Sequence, residues 1–132
     1  MIFEKKNKSD LDILNCFKPI RKNFYFSGKT AIKQLAKLMN NAAVFYKVYD
    51  KERFIGCIFV NEINEKDKVI TWGGFAYRHV NTKQAIRELM EYLRHHYPDF
   101  EIKAYTEQRT AKISLIRAGL HNDNKGGYIY YD

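Results

Sequence analysis

Between residues 43 and 75 the chain carries three successive stretches rich in β-branched and aromatic residues, 43–49, 54–62 and 68–75, and from Thr82 it changes to a helical period that lasts to His96. Few folds accept that order. The first two breaks, Asp50, Lys51, Glu52 and then Asn64, Glu65, Lys66, Asp67, are long enough only for tight turns, so they predict three antiparallel strands joined by hairpins. In the helical stretch Ala85, Ile86, Leu89, Met90 and Leu93 share one face, with Arg87, Glu88, Glu91 and Arg94 on the other. Pro98 lacks the amide that another turn would need, and a strand is expected at 100–105. A strand, a long helix and a strand in succession, residues 68–105, predict a right-handed crossover between parallel neighbours. The sheet is therefore expected to be mixed and mostly antiparallel.

The flanking sequence extends this pattern. A short strand fits 2–4, followed by a helix at 10–17 with Ser9 as N-cap and Pro19 as its stop. A second helix fits 30–39, where Ile32, Leu35, Ala36 and Met39 share a face. After the crossover come a helix at 109–118, closed by Gly119, and a last strand at 128–131. The expected order is β, α, α, β, β, β, α, β, α, β, an α/β (α+β) architecture with helices on both faces of one central sheet. With 132 residues there is room for one core, so a single domain over 1–132 is expected.

A hydrophobic fraction of 45% and an aromatic fraction of 15% are those of a chain that packs. No apolar run approaches the roughly 20 residues needed to cross a bilayer, and Met1 to Lys6 contain no signal-peptide core, which points to no membrane partner and a cytoplasmic location. Cys16 and Cys57 have no metal-ligand spacing and read as buried thiols. Adjacent His95 and His96 project about 100° apart on a helix, so no metal site is expected there. A net charge of +8 favours anionic partners such as coenzyme A, nucleic acid or an acidic protein. The charge is spread along the chain with no basic helix or aromatic RNA-binding signature, which points away from dedicated nucleic-acid binding.

This order of elements resembles the GNAT superfamily of N-acetyltransferases over nearly the full chain, and two local stretches carry the likeness. In the family a strand runs into a loop of form Q/R-x-x-G-x-G/A and a long helix, whose first amides bind the pyrophosphate of acetyl-CoA as an anion at a helix N-terminus. Here the loop reads Arg78, His79, Val80, Asn81, Thr82, Lys83, with Asn81 and Lys83 where the two small residues belong. Asn81 tolerates a left-handed backbone and is expected to keep the turn. Lys83 adds bulk at the close approach and an ammonium that can pair with phosphate. An ordinary helix start, with Asn81 or Thr82 as N-cap and Arg78 solvated, is the alternative.

The second stretch in the family reads N-x-x-A, an apolar residue and usually a Tyr, then Gly-Phe. Here Gln108, Ala111, Leu115, Gly119 and Leu120 stand in its place, and Leu115 occupies the position of the family's general-acid tyrosine. Tyr105 and Tyr77 are then the replacement acids to consider, with Glu62 and Glu107 as candidate bases. Gly73 and Gly74, followed by Phe75, correspond to a strand bulge that in the family turns an amide toward the acyl carbonyl; a kink that lets Trp72 and Phe75 pack is the other reading. The resemblance implies an acyl-CoA-dependent N-acyltransferase with acetyl-CoA as cofactor and an amine as acceptor. Because fold alone does not fix function, a non-catalytic relative, such as a phage-encoded virion-associated protein, and a basic nucleic-acid-binding module stand beside it. The short tail 128–132 suggests a truncated edge, or a homodimer or larger assembly that completes it.

Overall fold

The computed structural model describes residues 1–6, 37, 39–76, 81–107 and 109–131. The helix expected at 10–17, its cap Ser9, and Cys16 lie outside the described residues. Of the helix expected at 30–39, Lys37 and Met39 are described and helical, and Asn40 and Asn41 extend it.

The strands are β1 (Ile2–Lys6), β2 (Val44–Asp50), β3 (Arg53–Asn64), β4 (Val69–Ala76), β5 (Glu101–Tyr105), β6 (His121–Asn122) and β7 (Gly127–Ile129); the helices with described bounds are α1 (Thr82–His96) and α2 (Arg109–Arg117). They build a mixed, mostly antiparallel seven-stranded sheet in the order β1-β2-β3-β4-β5-β7-β6. β1 and β2 pair antiparallel, as do β2 and β3. β4 lies beside β3 and follows it through the turn 65–68, a connection far too short for a parallel crossover. β4 and β5 are parallel, as the strand, helix, strand succession requires. The chain divides into two compact units, Met1–Asn61 with Gly74–Val80, and Glu62–Gly73 with Asn81–Asp132.

In the first unit Met39, Ala42, Phe45, Cys57 and Phe59 form the core, with Phe54 packed against it. Val48 pairs with Gly56 but Tyr49 pairs with Phe54, so Ile55 is an extra residue on β3. That bulge interrupts the inside–outside alternation, and Ile55, Gly56 and Cys57 are buried in succession. Cys57 is buried, as its apolar setting predicted.

The second unit is organised by α1, whose bounds are those its period predicted. Leu89, Met90 and Leu93 are its buried residues, each contributing about 1.5–3 kcal/mol of apolar burial. Ile70, Trp72, Ile102, Ala104 and Leu115 are buried in the same unit. Tyr97 caps α1 and donates to the Leu93 carbonyl, after which Arg94 reaches past Pro98 to donate to the Phe100 carbonyl at 2.6 Å. Three basic residues, Arg94, His95 and His96, sit in the last turn, where the helix dipole favours positive charge.

α2 ends as its glycine predicted. Gly119 adopts φ +97°, the Leu120 amide bonds to the Leu115 carbonyl and the Gly119 amide to the Ile116 carbonyl, both at 3.0 Å. These two bonds are those of a Schellman cap. The tail differs from expectation. Two short strands, β6 and β7, close the sheet where one at 128–131 was expected, because the run Asp123 to Gly126 folds back between them. Asn124 and Gly126 both take positive φ in that turn.

Candidate active site

In a strand, helix, strand unit the carboxyl ends of both parallel strands and the amino end of the helix meet at one end, which is where open sheets bind ligands. Here that rule brings Asn81, Thr82 and Lys83 at the start of α1 to the same end as Tyr105 and Glu107 after β5. The parallel ladder runs from Val69–Glu101 to Trp72–Ala104 and stops, while β4 continues to Ala76. Tyr105, the last residue of β5, pairs instead with Gly127 of β7.

Asn81 has φ −70° and ψ 86°, so the left-handed turn expected of it is not present. It serves as the N-cap: its Oδ1 accepts from the Gln84 amide at 3.2 Å and its carbonyl accepts from Ala85 at 3.0 Å. The cap takes one amide of the first turn. Those of Thr82 and Lys83 make no hydrogen bond among the described residues. Neither α1 nor α2 has an acidic residue in its first turn, and Lys83, Arg109 and Lys112 add positive charge near the two starts. Lys83 is exposed.

The other predicted residues divide. Gly73, Gly74 and Phe75 lie in β4. A Cβ at Gly74 would stand 2.8 Å from the Cys57 carbonyl oxygen, so the two backbones approach too closely there for any side chain. Ala111 is half-buried in the first turn of α2 and Leu115 is buried one turn further on. Glu107 is exposed. Glu62 is not brought to this end: β3 continues past it to Asn64, and the turn 65–68 leads from there to the amino end of β4. It was expected at a strand end, which the longer β3 overrides. Tyr77, Arg78, His79, Val80 and Gln108 lie outside the described residues.

One group the sequence did not single out stands next to Tyr105. Lys103 Nζ pairs with Asp123 Oδ2 at 2.6 Å, with both side chains largely buried, at 15% and 9% exposure. Asp123 Oδ1 accepts from the Lys125 amide at 2.7 Å and the Gly127 amide at 2.9 Å. The Lys103 ammonium beside it, then the backbone bond from Lys125, holds the Asp123 carboxyl down at about 2. Lys103 is held well above the usual lysine range, first by Asp123 and then by the neighbouring Tyr105. Its ammonium lies 5.3 Å from the Tyr105 ring centre. Gly127 makes room for the pair: a Cβ there would press on Lys103 Cε and stand 2.7 Å from Asp123 Oδ2. The available sequence signal was the turn-forming run Asp123, Asn124, Lys125, Gly126, Gly127, which fixes a hairpin but not its partner across the sheet.

At the last rung of the ladder Trp72 is buried, and its Nε1 has no hydrogen-bond partner among the described residues. A buried donor left unpaired costs about 1–3 kcal/mol.

No family model matches the chain, and no curated protein matches its sequence. Solved structures do match. The ribosomal alpha-N-protein acetyltransferase RimL in its apo form superposes with TM-score 0.69 at 12% identity, over 98% of this chain and 89% of that one. A chimera of spermidine N-acetyltransferase SpeG from Vibrio cholerae and hSSAT gives 0.63 at 12%, over 98% and 93%. The Campylobacter jejuni N-acetyltransferase PseH in complex with acetyl coenzyme A gives 0.60 at 18%, over 99% of both chains. The architecture is therefore that of a known class of α+β acyl-transferring proteins. Specifically, the chain has the GNAT fold, as its order of elements led one to expect.

Proposed function

We propose that this protein is an acyl-CoA-dependent N-acyltransferase that passes an acetyl group from acetyl-CoA to an amine. The observation that carries the reading is the start of α1: two amides without hydrogen bonds among the described residues, no acid in the first turn, at the end of the unit where β5 delivers Tyr105. This donor set suits a pyrophosphate, because amides and a helix dipole attract anions without needing a fixed side-chain charge. The buried indole donor of Trp72 at the end of the ladder, without a partner among the described residues, is a further polar group that a ligand oxygen would satisfy. Asn81, Thr82 and Lys83, with Arg78 and Val80 before them, would hold the phosphates. The resemblance assigns the acyl end of the same ligand to Gly73, Gly74, Phe75, Gln108 and Ala111.

Acetyl-CoA, when bound, supplies an activated acyl thioester. The chain must then accept the proton of the attacking amine, for which Glu107, exposed after β5, is placed better than Glu62. Titration calorimetry tests the reading. Wild type should bind acetyl-CoA, and Thr82→Glu, which puts a carboxylate in the first turn, should weaken binding by about tenfold from dipole and phosphate repulsion together. No heat at millimolar acetyl-CoA would remove the proposal. A protein kept only for partner binding is favoured by one feature, the buried Leu115 where the family places its tyrosine. Binding without transfer to any amine is the outcome that selects it.

A further inference from the structure

α2 carries two apolar stripes where a helix packed on a core needs one. The inner stripe is Ala111, half-buried, Leu115, buried, and Ala118, buried just past the end of the helix. Ile113 and Ile116 lie on the opposite side, three residues apart and therefore neighbours on the helix surface, and they are 39% and 55% exposed. α1, in the same unit, shows what a solvent face ordinarily holds: its exposed positions are Lys83, Gln84, Arg87, Glu91, His95 and His96, all polar. Packing of the unit therefore accounts for the inner stripe of α2 and leaves the outer one without a role.

The charges around the outer stripe fix the sign of what covers it. Arg109 stands four positions before Ile113 and Arg117 four after it, and Lys112 stands four before Ile116, so each isoleucine has cations as helix-surface neighbours. α2 contains no aspartate or glutamate. A second copy of the chain fits poorly. Across a two-fold axis this face would meet itself and set Arg109, Lys112 and Arg117 against their own equivalents. A partner with carboxylates around an apolar stripe meets complementary charge instead. The face is also held in advance: the Gly119 cap closes the helix, and Arg87 Nε of α1 donates to the Ala118 carbonyl at 3.4 Å, so docking has little to order.

We propose that the outer face of α2 is a docking surface for a partner protein that presents an acidic amphipathic segment. The apolar side of the segment covers Ile113 and Ile116, and its carboxylates lie against Arg109, Lys112 and Arg117. The isoleucines, once removed from water, carry the affinity, and the cations around them set orientation and encounter rate. The surface is independent of the acyl-transfer reading above.

Fluorescence anisotropy tests it, with the full chain and a labelled peptide of about 16 residues that has leucine along one helical face and glutamate elsewhere. Binding is expected at or below about 0.1 mM protein, and it should weaken at least about threefold between roughly 0.1 M and 0.5 M salt. The same peptide with lysine for every glutamate, or serine for every leucine, should not bind. Ile113→Ser combined with Ile116→Ser should weaken the glutamate peptide at least about tenfold while the thermal melt stays unchanged. Arg109→Glu with Arg117→Glu should reverse the preference, losing the glutamate peptide and admitting the lysine one. No binding at about 0.1 mM protein, binding that survives loss of both isoleucines, or displacement of the peptide by acetyl-CoA would overturn the docking surface. Self-association in sedimentation equilibrium that the isoleucine variant abolishes would overturn it too, by giving the face to a second copy. Acetyl-CoA calorimetry on that variant should match wild type. A wild type that fails to bind acetyl-CoA removes the acyltransferase reading and leaves the docking surface in place.

Discussion

Replacing Gly119 with alanine isolates a single energetic term. Gly119 sits at φ +97°, and nothing lies within 4 Å of the point where a Cβ would stand, so the change introduces no clash. What it introduces is backbone strain of about 1–2 kcal/mol for a residue with a Cβ held in the left-handed region. The alanine also restricts the unfolded chain, which returns about 0.4–1 kcal/mol. The net loss is about 1 kcal/mol, roughly a fivefold rise in the unfolding constant. With a urea dependence of roughly 2 kcal/mol/M for a chain of this size, the midpoint should fall by about 0.5 M. Urea melts followed by far-ultraviolet circular dichroism measure it. Gly119→Asn should recover part of the loss, since asparagine tolerates this region better than alanine. A midpoint within 0.1 M of wild type would mean that the two bonds at the end of α2 do not hold that backbone. A loss above about 3 kcal/mol would mean a steric cost that the open surroundings of Gly119 exclude.

Two further outcomes follow from the same geometry. Gly74→Ala should lower stability by about 1–3 kcal/mol, because the added Cβ meets the Cys57 carbonyl at 2.8 Å and Ile58 Cγ1 at 3.2 Å and the carbonyl cannot rotate away; an unchanged melting temperature would refute the close approach. Asp123 titrates near 2 when folded against an ordinary 3.8, so around pH 3 the unfolded chain holds a proton that the folded one does not, and stability must rise with pH there. Its contribution is complete above about pH 4 and fades as pH falls toward 2. Asp123→Asn should flatten that part of the pH profile, and parallel profiles for the two proteins would count against the Lys103 pair.

The elements were legible because their signals are local. α1 was readable to the residue from five apolar positions at helical spacing and a proline two residues beyond its end. Its amino end was readable only in part. Asn81 suits both a left-handed turn and an N-cap, and the choice depends on which amide it faces after the chain enters the helix; the Gln84 amide settles it in favour of the cap. β6 was missed because two residues, His121 and Asn122, carry no strand pattern of their own. Glu62 looked like a strand-end base because β3 was expected to stop there, and the two additional residues come from pairing rather than composition.

The sequence by itself determined the bounds of α1, the end of α2, the order of the strands from β2 to β5, and that one crossover makes two strands parallel. Each follows from side-chain period, a missing amide at proline or the missing Cβ of glycine, all of which act within a few residues. Only the tertiary structure decided that Lys103 meets Asp123 and Tyr105. The pairing of Lys103 with Ile129 brings a turn twenty residues away onto β5, and register between distant strands is set by the packing of the whole unit rather than by any short stretch of the chain.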